Sequence, residues 1–279
     1  MNQTKIGIIG LGLMGGSIGL ALKSLNRDYY IVGLDHNQSH LKEALELKLV
    51  DELADDISAI EECDIIFLAV PVDAIISITK SFKNIKDSAT IIDLGSTKYK
   101  ISHSIPDNIR ENFVTAHPMT GTENFGPSSA FMGLYYDKTL VLCDLEKSGD
   151  TQREVAKDIF KSIGMNIVYM DSKEHDIHTA YISHMPHALS YALANSVLNQ
   201  EDPKNILALA GGGFQDMSRI AKSSANMWED IFRQNKTNLL DALTHVSDEL
   251  DYCKRLIEKD EFEELNQWMK KANILHKII

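Results

Sequence analysis

One stretch, Lys5 to Leu25, narrows the possible folds of this chain more than any other. Its apolar run, Ile6, Ile8 and Ile9, predicts a buried parallel strand. Gly10, Gly12 and Gly15 follow as G-x-G-x-x-G, and Ile18, Leu22 and Leu25 then recur at helical spacing. Each glycine answers a separate steric need. Gly10 makes the tight turn, Gly12 lets a pyrophosphate approach the backbone, and Gly15 lets the helix pack close to the strand. Leu13 and Met14 sit at the expected helix start, where N–H groups without an intrahelical partner bind phosphate. Glycines also cluster in loops by chance, so the flanks matter: a second apolar run, Tyr30 to Leu34, ends at Asp35, about twenty residues past Gly15. A carboxylate there accepts hydrogen bonds from both hydroxyls of an adenosine ribose and repels a 2′-phosphate. His36 and Asn37 come next and supply no arginine for such a phosphate, so the expected cofactor is NAD rather than NADP.

A chain of 279 residues has room for two domains. In the expected first one, residues 1–170, helical patterns alternate with apolar runs at Asp64–Val70, Thr90–Leu94, Phe113–His117, Leu140–Cys143 and Asn166–Met170. That alternation predicts a parallel sheet covered by helices, a Rossmann-type α/β domain. Ligands of such sheets gather at the carboxyl ends of the strands, and Gly10–Gly15, Asp35, Val70, Pro71, Ser96 and His117 all fall there. From Asp171 onward no strand-like run appears. Helical patterns broken by Asp202-Pro203 and Gly211–Gly213 predict an all-α part, residues 171–279. Within it Leu239, Leu243, Val246, Leu250, Cys253 and Ile257 recur at spacings of 4, 3, 4, 3 and 4. Such a seam can pack inside its own subunit, but so many apolar stripes on a short helical part favour a homodimer.

The net charge of −12 argues against nucleic acid as a partner. Both parts are acidic, so an anionic substrate must be held by a few placed cations. The three cysteines, Cys63, Cys143 and Cys253, lie far apart and suit a reducing compartment. No apolar run is long enough to span a bilayer, and the first strand begins too near Met1 for a signal peptide. A soluble cytoplasmic protein is expected.

Four places carry candidate chemistry. His117 sits where a strand meets the cofactor edge, and its ordinary pKa suits a base that takes a hydroxyl proton as hydride leaves. A structural strand-end histidine is the alternative. Ser96, at a neighbouring strand end, could orient that hydroxyl or the nicotinamide amide, or cap the next helix. The segment from His175 to His187 holds four histidines. At about 100° per residue, His175 opposes His184 and His178 opposes His187, so the four cannot share an ion. His184 and His187, three apart, are expected to face a substrate cleft, with His175 and His178 in solvent. Arg219 follows a glycine break and could grip a carboxylate in a bidentate fork, or pair with Asp216.

Together these stretches resemble prephenate dehydrogenases. The matching pieces are Gly10–Ser17, Ala69-Val-Pro71, Asp93–Lys98, His117–Glu123, Ser183–His187 and Phe214–Ala221 with Met227-Trp228, in family order over most of the chain. The resemblance implies NAD-dependent oxidative decarboxylation of prephenate to 4-hydroxyphenylpyruvate, in tyrosine biosynthesis, without a metal. No mutase segment precedes the first strand, so the monofunctional form is expected. The resemblance also casts His117 as the base for the 4-hydroxyl proton and Ser96 as its support. It casts Arg219 as the substrate-carboxylate clamp, with His187 and His184 nearby, and Glu123 as a carboxylate that orders the pocket by pairing with an arginine. Arogenate dehydrogenase, the same chemistry on the aminated substrate, is the nearest alternative. The β-hydroxyacid dehydrogenases fit less well because they use a lysine base on the helical domain. A non-catalytic NAD-binding protein would need the glycine loop but not His117, Ser96 and Arg219 together.

Overall fold

The computed structural model describes residues 3–278. Apolar runs and their turns build eight strands: β1 (Thr4–Ile9), β2 (Tyr29–Leu34), β3 (Glu52–Leu53), β4 (Ile65–Leu68), β5 (Thr90–Asp93), β6 (Phe113–Pro118), β7 (Thr139–Cys143) and β8 (Asn166–Met170). They form one sheet in the order β3-β2-β1-β4-β5-β6-β7-β8. Helices α1 (Leu13–Ser24), α2 (Gln38–Glu46), α3 (Ile57–Glu61), α4 (Val72–Ser81), α5 (Tyr99–Ser102) and α6 (Asp150–Ser162) connect them. Ile8, Leu22, Phe67 and Phe160 belong to one apolar layer, and Ile60, Ile66, Ile75 and Phe113 to another. The sheet is thus buried on both faces over its centre. Strand order reverses between β1 and β4, and the glycine loop lies at that switch point, where open α/β sheets bind their ligands.

The sheet is parallel from β3 through β6, but β7 pairs antiparallel with β6 and β8 runs parallel to β7. A wholly parallel sheet was expected. The difference lies in the connection after His117: residues 119–138 contain only a short 3₁₀ turn at Pro127–Ser129. No helix carries the chain back along the sheet there, so the next strand returns in the opposite direction. The edge strand β8 also departs from the double-sided burial expected of it, with Tyr169 54% exposed.

Among the described residues every regular element after Met170 is helical: α7 (Ser172–Thr179), a π-helical turn (Ala180–His184), α8 (Met185–Leu198), α9 (Pro203–Leu207), α10 (Gly212–Ser218), a 3₁₀ turn (Arg219–Lys222), α11 (Ala225–Gln234), α12 (Lys236–Glu258), α13 (Phe262–Ala272) and a last 3₁₀ turn (Asn273–Lys277). Pro186 explains the wide turn before it. Its ring removes one N–H donor and crowds the carbonyl of Ile182 four residues earlier, so the helix widens. The apolar seam on α12 starts buried at Leu239 but ends open, with Leu250 58% and Ile257 51% exposed. Among the described residues no helix is long and apolar enough to cross a membrane.

Asp144, at the end of β7, fastens α7 to the sheet. Its buried carboxylate accepts from Ser102 Oγ, from Ser172 N at 2.8 Å and Oγ at 2.8 Å, and from Lys147 Nζ at 3.0 Å. Burial alone would raise its pKa, but these donors outweigh it and hold the carboxyl down to about 2. A depressed folded pKa means stability present above the unfolded value and lost as pH falls through the folded one. Against an unfolded value near 3.9, Asp144 contributes about 2–3 kcal/mol at neutral pH, lost between about pH 4 and pH 2. Asp144→Asn should flatten the stability-against-pH curve over that window in urea unfolding. An unchanged slope would show that Asp144 is not the group responsible.

Candidate active site

The glycine loop is built for close approach. Gly10 has φ +92°, and a Cβ there would lie 2.4 Å from Ala69 O and 2.7 Å from a Val70 methyl. A Cβ at Gly15 would fall 1.8 Å from Gly10 O, so the helix can rest on the turn only with glycine. Gly12, in contrast, faces open space, its nearest neighbour being Gly126 N at 4.0 Å. It is the N-cap of α1, and no side chain caps the helix, so the N–H groups of Leu13, Met14 and Gly15 stay available to an anion. Val70 and Pro71 stand alongside, after β4 and at the start of α4.

Asp35 lies buried beyond β2. Its Oδ2 accepts from Leu11 N at 2.8 Å and its Oδ1 from Asn37 N at 2.9 Å, tying β2 to the glycine loop. A carboxylate has about four acceptor positions, so two remain for other donors. The imidazole Nδ1 atoms of His36 and His40 lie 3.3 and 3.5 Å from its oxygens. An open glycine approach, an uncapped helix start and a part-occupied carboxylate together fit a dinucleotide.

From Gly12, Leu13 and Met14 a cavity of about 500 Å³ runs past Ser96 and His117 to Glu123, His187, Arg219 and Trp228. Ser96 is not a helix cap, since the N-cap of α5 is Lys98. Arg219 Nη1 lies 3.3 Å from Glu123 Oε2, joining the loop after β6 to the turn after α10. The pairing with Asp216 considered as an alternative is not what the guanidinium makes. His187 stacks on Trp228 with ring centroids 3.5 Å apart, and its Nδ1 meets Ser183 O at 2.9 Å. A carbonyl only accepts, so Nδ1 carries the proton and Nε2 is bare in the neutral ring. Burial pushes the His187 pKa down, the Ser183 contact opposes this and Arg219 adds to it, so the neutral form prevails. The Trp228 indole N–H is buried without a protein partner.

Two expectations about the histidines need correction. His175, expected in solvent, is 1% exposed, and its Nε2 lies 2.8 Å from His117 Nδ1. His184, expected in the cleft beside His187, is 1% exposed behind the wall, edge-on to Trp228 and 3.1 Å from Asn235 Nδ2. It does not line the cavity. His175 lies on the face of α7 that also buries Ser172, Asp176 and Thr179, a regular helical face ahead of the π-helical turn, and a helix wheel gives spacing but not which face the sheet covers. His178 is exposed, as expected.

His117 therefore ends a buried chain. Behind it His175 Nδ1 lies 2.8 Å from Asp176 Oδ1, and Asp176 also accepts from Lys98 N at 2.7 Å and Tyr99 N at 3.0 Å. Lys98, fully buried, bridges Asp93 and the carbonyl of Ala116, the residue before His117. Burial pushes the His117 pKa well below its ordinary value, with His175, Lys98 and His184 adding to the effect. The adjacent pair His175-Asp176 was the one sequence signal that could have pointed to this chain, but only the docking of α7 brings it to His117.

Comparison with known proteins agrees with this layout. A prephenate dehydrogenase nucleotide-binding domain model matches residues 18–169, and a prephenate dehydrogenase dimerization domain model matches residues 171–271. Prephenate dehydrogenase of Bacillus subtilis is 33% identical over 98% of this chain and 76% of its own length. The crystal structure of prephenate dehydrogenase from A. aeolicus in complex with hydroxyphenyl propionate and NAD+ is similar with a TM-score of 0.92 at 31% identity, covering 99% of this chain and 98% of that one. Synechocystis arogenate dehydrogenase is similar with a TM-score of 0.79 at 27% identity, covering 99% of this chain and 100% of that one. With family models matching both parts and a third of its residues shared along nearly its whole length, the chain belongs to the prephenate dehydrogenase family.

Proposed function

We propose that this chain, an NAD-dependent oxidoreductase by its family, oxidises and decarboxylates prephenate to 4-hydroxyphenylpyruvate in tyrosine biosynthesis. One observation carries the reading: a single cavity presents the open start of α1, a histidine with its Nε2 unengaged, and the Arg219 guanidinium. NAD, when bound, accepts the hydride that leaves the ring carbon bearing the 4-hydroxyl. Gly10, Gly12, Leu13, Met14 and Gly15 would hold its pyrophosphate, Asp35 its ribose, and Val70 and Pro71 its flank. His117 Nε2 takes the hydroxyl proton as hydride departs, with Ser96 orienting that hydroxyl. The bond to the ring carboxylate then breaks, its electron pair enters the ring, and carbon dioxide leaves. The phenolate oxygen so formed takes the proton back, so none is gained or lost overall. Arg219 clamps a substrate carboxylate while Glu123 orients the guanidinium, and His187 and the Trp228 N–H face the substrate from the helical part.

Residues 1–170 on this reading bind the cofactor, and residues 171–279 complete the substrate pocket and pair two subunits. The half-exposed end of the α12 seam supports that homodimer. Light scattering near 31.2 kDa, the mass of one chain, would refute it.

The deciding assay gives purified protein and NAD either prephenate or arogenate and follows NADH. Failure with both substrates would sink the enzymatic reading, and a preference for arogenate would sink only the substrate assignment. Repeating it with NADP tests Asp35: equal turnover would refute its role at the 2′-hydroxyl.

A further inference from the structure

The buried chain behind His117 has no part in the function as stated so far. Its hydrogen bonds admit one proton arrangement. Asp176 is an ionised carboxylate that can only accept, and it takes two backbone N–H groups at 2.7 and 3.0 Å in addition to His175. His175 Nδ1 must then carry a proton to meet it at 2.8 Å. A neutral His175 is consequently bare at Nε2, and the 2.8 Å contact requires His117 to donate from Nδ1. His117 Nε2 is left as a lone pair. Of the two neutral forms of His117, this is the one that can act as a base from Nε2.

The same chain answers an energetic problem. A proton accepted by His117 puts a positive charge in a buried place, close to the Lys98 ammonium and the rings of His175 and His184. Asp93 is committed to Lys98. Asp176 is the remaining carboxylate of the group, and it touches His175, not His117.

We propose that His175 and Asp176 are positioning residues that fix the reactive tautomer of His117 and accept its charge. When His117 Nε2 receives the substrate proton, the Nδ1 proton passes to His175 Nε2. The bond from His117 Nδ1 to hydrogen breaks as that from His175 Nε2 forms, and the charge comes to rest as a His175–Asp176 ion pair. When the phenolate oxygen reclaims its proton the transfer reverses, so the chain stores one proton during the reaction without releasing it. The anchoring of α7 through Ser172 to Asp144 holds this pair against β6. The inference rests on His117 being the base.

Two variants separate the parts of the proposal. His175→Gln can offer an oxygen to His117 Nδ1–H but cannot take up its proton, and His175→Phe removes both contacts. His175→Gln should lower kcat by about 10- to 100-fold, a fraction of a full general-base contribution, with KM little changed. The acid limb of its kcat profile should move down by about one pH unit, because His117 is then protonated without help from Asp176. His175→Phe should lose more, since its His117 is free to place the proton on Nε2. Wild-type kcat and pH profile in both variants would overturn the proposal, as would a lower kcat with an unmoved profile, the mark of a merely structural role. Should the variants not fold, ¹⁵N-histidine NMR of the wild-type protein decides: both rings must be protonated at Nδ1, and an Nε2–H form of either overturns the proposal. If His117→Asn retains full activity, the base assignment itself has failed. An inactive His117→Asn beside a wild-type-like His175→Gln removes only the relay.

Discussion

Replacing His117 by asparagine is expected to lower kcat by about 10³-fold, within the usual contribution of a placed general base, with NAD affinity unchanged. Asparagine can still meet a hydroxyl but cannot take its proton at neutral pH, so the oxygen must carry positive charge as hydride leaves. The cofactor should be unaffected because His117 lies at the end of β6, apart from the glycine loop and from Asp35. The wild-type pH profile gives a second check. Burial holds His117 below its ordinary pKa, so it is already the free base at pH 7. Activity should stay level as pH falls to about 6.5, the unperturbed histidine value, and decline only below it. Stopped-flow measurement of NADH formation, with NAD affinity read by fluorescence, tests both statements. A His117→Asn enzyme with near-normal kcat would remove the base from the proposed mechanism.

The second large effect is expected at Arg219. Arg219→Ala should raise KM for prephenate by about 10- to 100-fold, the value of charge-assisted hydrogen bonds to a carboxylate, with kcat within a few-fold of normal. The contact exists in both ground and transition states, so its loss weakens binding more than chemistry. The Arg219 side chain is 56% exposed, which places the effect toward the lower end of that range. Its ion pair with Glu123 is partly exposed and so weak by itself. It engages one Nη of a five-donor fork and leaves the rest for substrate. Steady-state kinetics decide the matter: an unchanged KM would take Arg219 out of the substrate site.

Much of the cofactor side was legible before any fold was known. Gly10, Gly12 and Gly15 have their meaning within a few residues of chain, because the demand for φ +92° at Gly10 and for contact at Gly15 is set by one turn and the helix that follows it. Strand ends were legible for a related reason. Alternating strands and helices place every β-to-α turn on one edge, so His117 and Ser96 could be assigned to the edge that carries the glycine loop. What could not be read was direction and phase. An apolar run looks the same in a parallel or antiparallel strand, and only the helix-free connection over residues 119–138 reversed β7. A helix wheel gives the spacing of side chains but not which face packs on the sheet, and docking buried His175 with Ser172, Asp176 and Thr179 and put His184 against Trp228 and Asn235.

By itself, then, the sequence determined the dinucleotide loop, the alternation that makes the sheet, the change to helices after Met170, and which residue types had chemistry to offer. Those features depend on backbone sterics and periodicity over short spans. Tertiary structure alone decided which of the candidates meet. His117 reaches His175 across 58 positions, Arg219 reaches Glu123 across 96, and Asn235 closes over His184 across 51. Such contacts are set by how helices dock on a sheet edge, where shifts of a few ångströms exchange one histidine for another. Local propensity carries no record of that docking.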